Sequence, residues 1–196
     1  MKFPVPPFNL LISGVTNCGK TRLILDLLET NFRNKFDYIL IICPTFMTNK
    51  TYHRKFILKD SEVFPIIIDD KLNDTLDIVL KKFGDANEQT LIIIDDCAKL
   101  YDAKVKATAL TKLAFHGRHI NLSTWVITQK YNAIVKDFRE NIKVLILFYD
   151  KDKESRESAF KENDIGITPL EKNCIVKKLK NDINSILVMR LFPPFE

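Results

Sequence analysis

Phe8-Asn9-Leu10-Leu11-Ile12-Ser13-Gly14-Val15-Thr16-Asn17-Cys18-Gly19-Lys20-Thr21-Arg22-Leu23-Ile24-Leu25-Asp26-Leu27-Leu28 decides the fold. It joins an apolar run to an amphipathic run through eight residues, Gly14 to Thr21, that match G-x-x-x-x-G-K-[ST] in full. The apolar run predicts a strand over 8–12. Leu23, Leu27, Ile24 and Leu28 fall on one face of a helix over 20–30. Glycines at both ends of such a loop let the backbone wrap until successive N–H groups face one anion, and the helix that follows adds its positive end. Lys20 then reaches β- and γ-phosphates and the Thr21 hydroxyl ligates Mg2+. Gly14, Val15, Thr16, Asn17, Cys18, Gly19, Lys20, Thr21 and Arg22 are the expected nucleotide-binding residues. Average composition gives a chance match in roughly one chain per hundred of this length or fewer. Only five glycines occur here, which makes chance a poorer account still.

Outward from the loop, apolar and amphipathic stretches alternate. Tyr38 to Cys43 is an unbroken β-rich run, expected of a parallel strand covered on both faces. Val63 to Ile68 carries Pro65, which predicts an edge strand. Residues 74–83 and 103–115 read as helices. Leu91-Ile92-Ile93-Ile94-Asp95-Asp96 is a strand that ends in acids. Asp95 at a strand's carboxyl end is placed to hold Mg2+, and Asp96 to orient or deprotonate a water. An acidic turn before the next helix is the plain alternative. Leu122 to Thr128 is a further strand, and Gln129 at its carboxyl end is suited to sense the γ-phosphate if this strand lies between the other two. A short helix at 135–140, a strand over 142–149 and a helix over 155–161 follow. The tail reads as two strands, 174–179 and 185–191, joined at Lys180-Asn181-Asp182 as a β-hairpin (172–196) that extends the sheet. This order predicts right-handed crossovers and a doubly wound, mostly parallel α/β sheet.

The 196 residues suit one domain. They are 46% hydrophobic, too many for a disordered chain, and no uncharged run reaches the ~18 residues of a membrane helix. The apolar start does not read as a signal peptide, because it lacks a small-residue cleavage site and runs into the glycine loop. Cys18, Cys43, Cys97 and Cys174 match no zinc spacing and suit a reduced compartment. His53, His116 and His119 add no ligand pattern, and Trp125 reads as core. A net charge of +5 is compatible with a polyanionic partner.

The phosphate loop, the Asp95-Asp96 strand, Gln129, the segment Phe115 to Ser123 and the stretch Phe138 to Ile142 together resemble the poxvirus-type genome-packaging ATPases. These belong to the FtsK–HerA superfamily and recur in large DNA viruses, virophages and Polinton-like elements. The resemblance spans residues 10–148. It implies a P-loop NTPase fold of the ASCE, RecA-like type and ATP hydrolysis with Mg2+. It further implies translocation of double-stranded DNA into a capsid by a homo-oligomeric ring, with capsid or portal proteins as partners and a viral assembly site in the host cell. Carried over by position, Gly14 to Thr21 bind nucleotide, Thr21 and Asp95 hold Mg2+, Asp96 is the base and Gln129 the sensor. Many related ATPases have Glu where this chain has Asp96. Arg118 and Arg139 compete for the role of a finger reaching a neighbouring subunit's nucleotide, against a plain surface ion pair for either. Candidate DNA contacts are Lys50, Arg54 and Lys55; Lys99, Lys104 and Lys106; and Lys172, Lys177, Lys178 and Lys180. Each group also reads as a solvated face. Two other functions fit the motifs: a nucleotide or nucleoside kinase, and a slow nucleotide-gated assembly switch.

Overall fold

In the computed structural model, residues 3–52, 62–66, 72–84, 88–95, 103–164 and 166–192 are described. Strands β1 (Asn9–Ser13), β2 (Tyr38–Ile42), β3 (Glu62–Ile66), β4 (Thr90–Asp95), β5 (Leu122–Thr128), β6 (Ile142–Leu147) and β7 (Leu187–Arg190) form one sheet. Its order is β3-β2-β4-β5-β1-β6-β7. Every pairing is parallel except β6 with β7. The helices are α1 (Lys20–Glu29), α2 (Leu72–Gly84), α3 (Ala103–His116), α4 (Lys136–Glu140), α5 (Lys153–Glu162) and α6 (Pro169–Asn181).

The sheet is covered on both faces, and the alternation of side chains along each strand sorts the core into two layers. Leu10 and Ile12 of β1 pack with Ile24, Leu25, Leu27 and Leu28 of α1 and with Trp125 of β5. Leu11 points the other way, among Leu110, Leu113, Val126 and Phe138. Trp125 is fully buried, with the rings of Phe8, Phe32 and Phe36 centred 5.0–5.8 Å from its own. This aromatic cluster ties the start of β1 and the end of α1 to the middle strand β5. Pro65 lies in the edge strand β3, where a missing N–H leaves no ladder bond unmade on the open side.

The tail corrects one expectation. The sheet does close on an antiparallel pair, but β7 pairs with β6, and residues 174–179 lie inside helix α6 rather than in a strand. The reason is local. The Thr168 hydroxyl accepts from the Glu171 N–H, the Glu171 carboxylate accepts from the Thr168 N–H, and Pro169 opens the helix. This capping box starts a helix whatever the β-branched content beyond it. Leu179 is buried, Ile175 and Val176 are half-buried, and Lys177, Lys178 and Lys180 face outward.

Candidate functional site

The carboxyl ends of β1, β4 and β5 meet at one cleft. β5 lies between β1 and β4, so the strand ending at Gln129 is flanked by those carrying the glycine loop and Asp95. Thr16, Asn17, Lys20, Thr21, Asp95 and Gln129 line a cleft of about 170 Å3, with Thr45, Asn49 and Thr128 contributing as well. A larger hollow of about 700 Å3 continues over Val15 and Thr16 toward Lys130 and the loop 150–152.

The loop is pinned at its start. The Gly14 N–H donates to the Thr128 carbonyl at 3.2 Å and the Val15 N–H to the Tyr149 carbonyl at 3.3 Å, so the ends of β5 and β6 hold it from both sides. Gly14 passes so close to β6 that a Cβ there would sit 2.5 Å from the Phe148 Cβ. Asn17 and Gly19 take positive φ, 63° and 96°, which turns the chain into α1. No side chain caps α1 and no acid stands in its first turn. By contrast Asp152 caps α5 and Thr168 caps α6. The first amides of α1 are thus left to an anion, where the helix dipole adds its attraction.

Lys20 folds back over the loop. Its Nζ donates to the Gly14 and Val15 carbonyls at 2.8 and 2.7 Å. Cys18 points inward and is 1% exposed, and burial pushes its thiol up despite the neighbouring Lys20 cation. It contributes backbone, not side chain, to the cleft. Arg22 lies on the outer face of α1 beside Asp26, with its guanidinium mostly exposed.

The Thr21 Oγ1 donates to Asp95 Oδ2 at 2.8 Å across the cleft, and Asp95 is 4% exposed. A hydroxyl and a carboxylate side by side are hard oxygen donors. They suit Mg2+, which binds through one or two protein oxygens together with phosphates and water. Among the described residues no cluster of three His, Cys, Asp or Glu side chains forms a closed metal cage. Sequence reasoning missed a second hydroxyl, that of Tyr52, which donates to the same Asp95 oxygen at 2.7 Å.

Asp96 lies outside the described residues, as do Arg54, Lys55 and Lys99. Arg118 sits in a 3-10 turn (Gly117–Ile120) just before β5, and Arg139 sits in α4 just before β6. Both are at the amino edge of the sheet. The seven residues of β5 separate that edge from the cleft by about 20 Å. Arg139 is committed within its own chain. Its Nη1 lies 2.8 Å from the Glu162 carboxylate oxygens and its guanidinium is 4.8 Å above the Tyr131 ring. Tyr131 in turn donates to Glu162 and accepts from Asn163, and burial pushes its hydroxyl up to about 12. Lys172 lies over the Phe160 ring, leaving Lys177, Lys178 and Lys180 as the outward cations of α6.

The model of the family described as "Poxvirus A32 protein" matches residues 2–181. No curated protein matches. Among solved structures, the chain is similar to the genome packaging NTPase B204 from Sulfolobus turreted icosahedral virus 2. The form in complex with AMP has a TM-score of 0.64 at 19% identity, over 95% of this chain and 94% of that one. The form in complex with ATP-gammaS gives 0.61 at 19%, over 95% and 93%. EssC (ATPases 2 and 3) from Geobacillus thermodenitrificans gives 0.58 at 14%, over 90% of this chain and 43% of that one. At these identities the likeness speaks for the fold: a P-loop NTPase domain.

Proposed function

The chain belongs to the poxvirus A32 protein family, and on that premise we propose that it is the ATP-hydrolysing motor that moves double-stranded viral DNA into a capsid. The observation that carries the reading is the convergence of Lys20, Thr21, Asp95 and Gln129, from three neighbouring strand ends, on one cleft beside an uncapped helix. A solved structure that it resembles over nearly its whole length is that of a genome packaging NTPase, in complex with AMP and with ATP-gammaS.

In this reading the triphosphate takes over the contacts that the loop now makes with itself. Lys20 exchanges two carbonyl partners for β- and γ-phosphate oxygens, and the first amides of α1 meet the remaining charge. Thr21 and Asp95 hold Mg2+, which when bound neutralises charge on the phosphates. Gln129 stands at the cleft wall, where its amide orients a water toward the γ-phosphorus. Asp96, the next residue beyond Asp95, is the group assigned to take the water's proton.

Arg118 is assigned to the transition state of a neighbouring subunit. An arginine about 20 Å from its own cleft serves catalysis only across an interface. Arg139 is held by Glu162 and Tyr131 within its own chain. The lysines of α6 are proposed to contact DNA phosphates without reading bases.

Steady-state ATP hydrolysis with and without double-stranded DNA, across a salt series, tests the proposal. Hydrolysis rises with DNA, the stimulation falls steeply with salt, and Lys20→Ala abolishes both. Hydrolysis indifferent to DNA would remove the motor. Phosphate transfer to a nucleoside acceptor would make the chain a kinase.

A further inference from the structure

β2 pairs in register with β4, Ile42 opposite Ile94, so the chain leaving β2 emerges beside Asp95. It turns at once: the Phe46 N–H donates to the Cys43 carbonyl, the Asn49 N–H to Thr45 and the Tyr52 N–H to Asn49. The Asn49 side chain accepts from the Thr51 N–H. This compact turn puts Thr45 and Asn49 on the wall of the phosphate cleft. It also drives Tyr52 into the core, 3% exposed, with its ring stacked on Phe46 at 5.3 Å. The Tyr52 hydroxyl ends 2.7 Å from Asp95 Oδ2, the oxygen that also accepts from Thr21.

The two hydroxyls are not equivalent. Thr21 is the motif's metal ligand: its oxygen keeps lone pairs for a cation while its proton stays on Asp95. Tyr52 is a stiff aromatic whose ring is clamped by packing, and its phenol fixes where Asp95 Oδ2 points. Two donors on one oxygen fix the plane of the carboxylate, and with it the direction in which the group meets a cation. Partners of this kind, one step removed from the ion, orient ligands and raise metal affinity.

We infer that Tyr52 is the positioning residue of the magnesium site, setting the orientation of Asp95 so that Mg2+ joins the nucleotide at low concentration. The inference rests on the reading of Thr21 and Asp95 as the metal-holding pair. It adds a residue from the turn after β2 that belongs to neither recognised motif. Through it, metal occupancy is linked to the placement of the turn carrying Thr45 and Asn49.

The test is equilibrium binding of a non-hydrolysable ATP analogue to the wild-type chain and to Tyr52→Phe. Binding is measured in EDTA and through a Mg2+ titration. Tyr52→Phe keeps the ring and its stacking and loses only the phenolic donor. Affinity in EDTA stays within about twofold, while the Mg2+ concentration for half-maximal enhancement rises about tenfold, the lower end of the effect seen when such supporting partners are removed. Identical Mg2+ titrations for the two proteins overturn the inference and leave the nucleotide site standing. A wild-type chain that binds the analogue with no response to Mg2+ overturns the metal site itself, and the inference with it. A second measurement needs no variant. With 13Cζ-labelled tyrosine, one of the five tyrosine resonances shifts when Mg2+ is added to the nucleotide complex and not when nucleotide is added in EDTA. No Mg2+-responsive tyrosine is the contrary result.

Discussion

Replacing Gly14 and Gly19 separately with alanine distinguishes two ways in which the loop depends on glycine. At Gly14 the obstacle is space. A Cβ there would stand 2.5 Å from the Phe148 Cβ and 3.0 Å from the Cys18 Sγ. Carbon atoms in good contact sit about 3.5–4.0 Å apart, so the loop must retreat by about 1 Å. The Phe148 Cβ is bonded directly to the backbone beyond β6 and cannot swing aside. The bonds that pin the loop, Gly14 to Thr128 and Val15 to Tyr149, are already 3.2 and 3.3 Å long, and the retreat stretches them further. Overpacking costs about 1–3 kcal/mol, and weakening a backbone hydrogen bond adds about 1 kcal/mol. Gly14→Ala therefore destabilises by about 3 kcal/mol, a fall of roughly 6–12 °C in Tm for a chain of this size. At Gly19 nothing lies within 4 Å of the added carbon, and the obstacle is conformational, φ being +96°. A left-handed alanine costs roughly 1–2 kcal/mol, or about 2–8 °C. Thermal unfolding by circular dichroism, without nucleotide and at matched protein concentration, reads both. The reasoning fails if Gly14→Ala melts within 2 °C of the wild type, or if Gly19→Ala is the more damaging change.

The two arginines are tested by different readouts. Arg139→Ala lowers Tm, because it removes a mostly buried guanidinium that pairs with Glu162 and packs over the Tyr131 ring. Arg118→Ala abolishes turnover with nucleotide binding intact, and mixing it with Lys20→Ala restores hydrolysis, each chain supplying what the other lacks. Failure of the mixture to hydrolyse ATP would refute action across an interface. The Lys130–Asp152 pair at the rim of the larger hollow carries a pH signature. The Lys130 side chain and the helix amides of α5 hold the Asp152 carboxyl below its ordinary value of 3.8. Its contribution is complete above that value and is lost as pH falls through the lowered one. Asp152 likewise raises Lys130 above 10.5, so its contribution is complete below 10.5 and lost as pH climbs through the raised value. The Tm difference between the wild type and Asp152→Asn is thus largest near neutrality and closes at both extremes; a difference constant with pH contradicts the pairing.

What could be read from the chain alone divides along a physical line. Motifs whose meaning is carried by backbone, such as the glycine loop, the edge proline in β3 and the unbroken apolar strands, are local. Sterics and hydrogen bonding act on neighbours in sequence, so their reading needs no partner. The helix over 174–179 is also a local matter. Thr168-Pro169-Leu170-Glu171 holds a complete helix start, and it outweighs the strand preference of β-branched Ile175 and Val176. The fate of Arg139 was not local. A plain surface ion pair is the reading that its neighbours in sequence allow, whereas the partners that hold it, Tyr131 and Glu162, come from a turn and from α5. Tyr52 is the sharper case. Forty-three residues separate it from Asp95, and a lone tyrosine between a polar turn and a basic stretch reads as an ordinary buried aromatic. Its role exists only because β2 lies beside β4, and that adjacency follows from the packing of whole strands. The residues that form a site's chemistry announce themselves by type and spacing. Those that aim it are chosen by strand order, which no short stretch of this chain contains.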